Sequence, residues 1–90
     1  MKKERDPFTD LTNIGDAVAR QLHAAGVDTP DDLRAIGAKE AWRRILSTDD
    51  SACMHRLLAL EGAVRGVEKK ALPQAVREEL RAFYRKEKGK

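Results

Sequence analysis

Leu11-Thr12-Asn13-Ile14-Gly15-Asp16-Ala17-Val18-Ala19, followed after one short helix by Ala25-Gly26-Val27-Asp28-Thr29-Pro30-Asp31-Asp32-Leu33, decides the fold of this chain. Each stretch is a turn that opens a helix. Asn13 and Gly15 tolerate positive φ, and Gly26 suits a helix stop in the left-handed conformation. Thr29 is a natural N-cap, Pro30 fits the first helical position, and Asp31 and Asp32 complement the positive end of the helix dipole. This turn chemistry specifies compact helical packing and carries no catalytic signature.

Downstream of the first turn, Ile14, Ala17, Val18, Leu22 and Ala25 recur at helical spacing, with His23 on the opposite face, and predict a helix ending at Gly26. A short second helix from Pro30 buries Leu33 and Ile36 and stops at Gly37. A third, from about Ala38 to Leu46, turns Ala38, Ala41, Trp42 and Ile45 inward. The polar run from Ser47 to Ser51 is a loop whose last residues cap the next helix. That fourth helix, about Ala52 to Arg65, spreads Cys53, Met54, Leu57, Leu58, Leu60 and Val64 over a wide arc and is expected at the centre of the bundle. After a stop at Gly66 and a polar crossover containing Lys69 and Lys70, Pro73 starts a last helix that buries Val76, Leu80, Phe83 and Tyr84. The expectation is an all-α domain of about five short helices over residues 11–87, after a flexible tail over residues 1–10 that Phe8 could anchor, with a frayed basic end over residues 88–90.

Composition agrees with that architecture. Ninety residues make one domain, and charged residues at 37% with apolar residues at 41% describe a soluble globule with an aliphatic core. The lone Cys53 excludes an internal disulfide, and no apolar run is long enough for a membrane span or a secretory signal, so the cytoplasm is the expected location. The net charge of +3 is unevenly placed: residues 1–50 carry 8 Lys/Arg against 10 Asp/Glu, and residues 51–90 carry 10 against 5.

Three groups of residues stand out. At the first turn, Asn13, Ile14, Gly15 and Ala17 could offer backbone N–H groups to a phosphate at a helix start, although Asp16 would repel one there; the competing reading is a tight turn that lets Ile14 plug the core. On the last helix, Arg77, Arg81 and Arg85, with Lys88 close to the same line, form a basic ridge suited to nucleic acid or an acidic protein, or simply a solvated face diluted by Glu78, Glu79 and Glu87. Glu61 falls in the apolar arc of the fourth helix and needs a partner, either Arg65 one turn on or the backbone of the Asn13–Ala17 turn. Cys53 and His55 diverge on a helix and make a poor ligand pair. Cys53 reads as core, and His23 and His55 read as surface. The Gly62-x-x-x-Gly66 spacing lies in an amphipathic helix, where close helix approach or a helix stop explains it. No triad, phosphate loop or paired-cysteine motif is present, so neither catalysis nor a cofactor nor a bound metal is expected.

Taken together, Leu11-Thr-Asn-Ile-Gly15, Ala25-Gly-Val-Asp-Thr-Pro-Asp-Asp-Leu33 with Ile36-Gly37-Ala38, and above all Leu57-Leu-Ala-Leu-Glu-Gly-Ala-Val-Arg-Gly66 followed by Leu72-Pro73 resemble the C-terminal domain of the TfoX/Sxy competence-regulator family of bacteria. The first two stretches also suit other helix-hairpin-helix modules, including the C-terminal domain of the RNA polymerase α subunit. The third is the more specific. The resemblance implies a helix-hairpin-helix or SAM-like fold and a role in regulating natural transformation or transcription, without a catalytic site. Thr12 departs from the proline usual in the family, and the α+β domain that precedes this one in two-domain members has no counterpart in these residues. The functional expectation is a non-enzymatic interaction module, acting alone, that binds a protein partner. Direct nucleic-acid binding through the first turn and the basic ridge is the alternative. Self-association as a monomer or weak dimer stays open, with an apolar patch near Trp42 or Tyr84 favouring the dimer.

Overall fold

The computed structural model describes Phe8 and residues 11–49 and 52–89. Four α-helices follow in order: α1 (Asp16–Ala24), α2 (Pro30–Thr48), α3 (Met54–Arg65) and α4 (Gln74–Lys88), with a short 3₁₀ turn, Lys69–Ala71, between the last two. No strand occurs among the described residues. The fold is all-α, as expected, and α2 is two helical segments joined at a non-helical Gly37.

The two helices predicted on either side of Gly37 are both present within α2: Gly37 adopts φ 85° and ψ 163°, a conformation open to glycine alone, and kinks the chain between them. The start of α2 follows its sequence. Thr29 is the N-cap, its Oγ1 accepts from the Asp32 N–H at 3.1 Å, and Pro30 occupies the first helical position. α1 and α3 both end on a left-handed glycine. Val27 N–H donates to Leu22 O and Val67 N–H to Gly62 O, each one residue past Gly26 or Gly66, which is the Schellman arrangement that consumes the last carbonyls of a helix.

The core is aliphatic around a single indole. Phe8, Leu22, Leu33, Ala41, Trp42, Ile45, Leu57 and Leu60 are fully buried, joined by Ile14, Val27, Ala38, Ala63, Leu72 and Leu80. Trp42 places its Nε1–H 3.2 Å from the Cys53 carbonyl, so the one polar atom of the largest buried side chain is satisfied. Phe83 and Tyr84 of α4 pack on its ring at centroid distances of 5.9 and 5.6 Å. Trp42 is 0% exposed and Tyr84 is half-buried against it, so Trp42 contributes nothing to an exposed apolar patch. Phe8 is likewise 0% exposed and meets the His23 ring edge-on at 5.3 Å. The other residues of the expected N-terminal tail lie outside the described residues, as does the end of the Ser47–Ser51 loop. At the other terminus α4 continues through Lys88, into the end expected to fray.

Three side chains sit differently from their expected places. Ala17 is exposed, because α1 starts on Gly15 and its inward stripe falls on Ala19 and Leu22 instead. His23 is half-buried, held by Phe8 and by a 2.9 Å hydrogen bond between Nδ1 and Asp28 Oδ1. Cys53 is half-buried at the N-cap of α3 and contributes its carbonyl to Trp42 rather than a thiol to the core.

Candidate functional site

The first turn reaches much farther than its local sequence suggests. Asn13 takes φ 74°, the single described non-glycine residue with positive φ, and this aims its amide across the fold. Its Nδ2 donates to Val67 O at 3.0 Å and to Ala59 O at 3.5 Å, while its Oδ1 accepts from the Lys69 N–H at 3.2 Å. These bonds span 46 to 56 residues of sequence. Gly62 makes them possible: a Cβ at that position would overlap the Asn13 amide nitrogen and stand 2.6 Å from Val67 O. The Gly62-x-x-x-Gly66 pair thus divides its work, one glycine admitting a side chain and the other ending the helix.

Of the remaining turn residues, Ile14 is 6% exposed and plugs the core, while Gly15 and Asp16 face solvent. Gly15 caps α1 without a side-chain bond, and Asp16 occupies the first turn. Any anion approaching the N–H groups at Gly15 to Ala17 meets that carboxylate first.

Glu61 is met by Arg65, with Nε 2.6 Å from Oε2 and the carboxylate side chain only 16% exposed. A carboxylate in an apolar arc is thereby paired one helical turn away, in the favourable orientation.

The basic ridge divides in two. Arg77 curls back onto the 3₁₀ turn, donating from Nε to Leu72 O at 3.1 Å and from Nη2 to the carbonyls of Lys69 and Lys70. Arg81 and Arg85 stay exposed without a hydrogen-bond or ion-pair partner among the described residues, and Lys88 is exposed close to their line. Arg77 and Asn13 consequently converge on one residue. Asn13 holds the Lys69 N–H and Arg77 holds the Lys69 carbonyl, so the two groups singled out by sequence meet at a residue that sequence treated as linker.

Beside this braced turn lies a cleft of about 180 Å³ lined by His55, Leu58, Lys69, Lys70 and Arg77. A wider depression of about 390 Å³ on another face is lined by Glu40, Arg43, Arg44, Leu46, Ser47 and Glu87. Its charges are mutually spent: Arg43 and Arg44 each lie 3.1 Å from Glu40, and Arg43 lies 3.4 Å from Glu87. Next to it, Lys39 pairs with Glu79 at 2.5 Å across α2 and α4 and lies 5.6 Å from the Phe83 ring centroid. The hydrogen bond from Lys39, then its charge, hold the Glu79 carboxyl below its ordinary pKa. Among the described residues no group of three or more His, Cys, Asp or Glu is placed to hold a metal ion, and no helix is long and apolar enough to cross a membrane.

A turn-opened helical module with a kinked second helix and an asparagine lock is thus the class that this geometry defines. The chain belongs to the TfoX C-terminal domain family, whose model matches residues 4–84. Protein Sxy of Escherichia coli is 33% identical over 79 residues, which cover 88% of this chain and 38% of Sxy. The chain therefore spans well under half the length of that relative. Two crystal structures from Listeria monocytogenes share the fold at 42% identity. The triclinic form, of an uncharacterized protein, gives a TM-score of 0.87 and covers 88% of this chain and 90% of that one. The tetragonal form, of a protein of unknown function, gives 0.86 and covers 88% and 98%.

Proposed function

We propose that this chain is a non-enzymatic interaction module of bacterial competence or transcription regulation, and that it works by binding a protein partner through exposed helix surfaces in the cytoplasm. The observation that carries this reading is the brace on Lys69. One side chain from 56 residues away, Asn13, and one from the first turn of α4, Arg77, are committed to fixing a three-residue turn whose lysine side chains face solvent, which is the behaviour of a presented surface. Membership of a family that includes Sxy supports the regulatory setting.

The test is a chimera in which residues 11–87 replace the matching part of Sxy in E. coli, with expression of competence genes as the readout. Restored expression supports the reading. A folded chimera, verified by circular dichroism, that leaves expression at the level of a truncated Sxy overturns it.

A second reading, direct nucleic-acid binding through Asn13, Ile14, Gly15 and Ala17 and the ridge Arg77, Arg81, Arg85 and Lys88, is favoured by one observation: Arg81 and Arg85 are exposed and unpaired among the described residues. Titration with duplex DNA across a salt series separates the two, since phosphate contacts give binding that falls steeply with salt.

A further inference from the structure

Resting on the partner-binding reading, we propose that the cleft between the start of α3 and the 3₁₀ turn is a docking site for an acidic peptide segment of a partner protein. One apolar side chain of that segment lies on Leu58, and carboxylates on either side of it engage Lys69, Lys70 and His55.

Charge is the first argument. All four polar residues that line the cleft, His55, Lys69, Lys70 and Arg77, are basic or neutral donors, and none is acidic. The first turn of α3, where His55 sits, also lacks an acidic residue. Lys69 has no side-chain partner among the described residues. Lys70 pairs with Glu68 at 3.6 Å, but their side chains are 85% and 63% exposed, and an ion pair in that setting exchanges readily for another carboxylate.

Size and lining decide the kind of occupant. At about 180 Å³ the cleft is smaller than the ~300 Å³ at which sites for drug-sized ligands begin, and it suits a single side chain. Its floor is the half-buried Leu58, with the methylene stems of the lysines around it. A nucleic-acid backbone would use the cations and leave that apolar floor uncovered, whereas an acidic segment carrying a leucine uses both. Rigidity completes the case. Asn13 holds the N–H and Arg77 the carbonyl of Lys69, so little backbone ordering remains to be done at the moment of docking.

The experiment is fluorescence anisotropy on the full chain with a fluorescein-labelled peptide of alternating glutamate and leucine. The wild type is expected to bind, and the exposed double variant K69E/K70E to bind about tenfold more weakly, equivalent to about 1.4 kcal/mol. K69Q/K70Q is expected to fall between the two, and R81E/R85E to retain wild-type affinity. A control peptide with serine in place of leucine is expected to lose affinity by a similar factor. Coincident thermal melts of the variants show that the fold is kept. The proposal is overturned if the wild type does not bind the peptide, if K69E/K70E binds as the wild type does, if R81E/R85E weakens binding equally, or if the serine peptide binds as well as the leucine one while duplex DNA displaces it. An active Sxy chimera together with a peptide that ignores Lys69 and Lys70 refutes this docking site and leaves the module reading intact. An inert chimera whose cleft still discriminates the peptides does the reverse.

Discussion

Replacing Gly62 by alanine should destabilise the domain, against the usual gain of about 1 kcal/mol when a glycine inside a helix becomes alanine. A Cβ at Gly62 would stand 2.6 Å from Val67 O and 3.3 Å from Lys69 N, and would overlap Asn13 Nδ2. The nearest relief is to push the Asn13 amide away. That sacrifices its bonds to Val67 O at 3.0 Å and to Lys69 N at 3.2 Å, worth about 1 kcal/mol each, and the residual crowding against the Val67 carbonyl adds about 1 kcal/mol or more. After the helix-propensity gain is subtracted, the net loss is about 2 kcal/mol, or about 10 °C in Tm for a domain of this size. Thermal and urea denaturation of Gly62→Ala, with an unchanged m value, measure it. Asn13→Gly keeps the positive φ and removes the amide, so a double-mutant cycle isolates the lock: Gly62→Ala should cost less in the Asn13→Gly background, because only the backbone crowding remains. An alanine variant at least as stable as the wild type, or costs that simply add, would refute the role given to this pair.

Three further outcomes follow from the same geometry. Gly37→Ala places a side chain at φ 85°, ψ 163° with nothing within 4 Å to obstruct it, so its cost of about 1–3 kcal/mol is purely backbone strain, read from the urea midpoint. Arg77→Ala should lower stability by about 1–3 kcal/mol through loss of its bonds to the Leu72 and Lys69 carbonyls, whereas Arg81→Ala and Arg85→Ala should stay within about 0.5 kcal/mol; equal losses at all three in thermal melts would contradict the division of the ridge. Lys39 lowers the Glu79 pKa in the folded state, so the pair adds stability above the ordinary value of 4.5 and gives it up as pH falls through the lowered folded-state pKa. Glu79→Gln should therefore be less stable than the wild type near neutral pH and converge with it as the pH falls through the lowered pKa of Glu79, by urea titration at stepped pH.

The sequence reading succeeded where the physics is local. Thr29 and Pro30 start α2, Gly26 and Gly66 end α1 and α3, and the helical spacing of Leu33, Trp42, Ile45, Leu57 and Leu80 marks residues that are buried. Gly37 was legible as a break between two helices, because its positive φ interrupts the helical backbone there. Ala17 carried the right spacing and the wrong side, since a shift in where α1 begins moves its inward stripe. The contacts of Asn13 had no local signal at all: its partners lie 46 to 56 residues away. A positive-φ asparagine together with a glycine inside the most apolar helix was the available hint, and only the fold puts the two together. Arg77 shows the same limit. Helical spacing grouped it with Arg81 and Arg85, and the carbonyls of the preceding turn claimed it.

The Asn13 lock also sets how the molecule breathes. A bond between residues 54 apart closes a long loop, which is entropically expensive and is made only once α2 and α3 are in place. Departure of the segment that carries Asn13 frees the Val67 carbonyl and the Lys69 N–H in the same event. Amide hydrogen exchange would register this as one cooperative opening, with the Lys69 amide losing protection together with those of α1 although half the chain separates them. The Lys69 N–H is thus only as protected as the attachment of the first helix, while Arg77 still holds the carbonyls of Lys69 and Lys70.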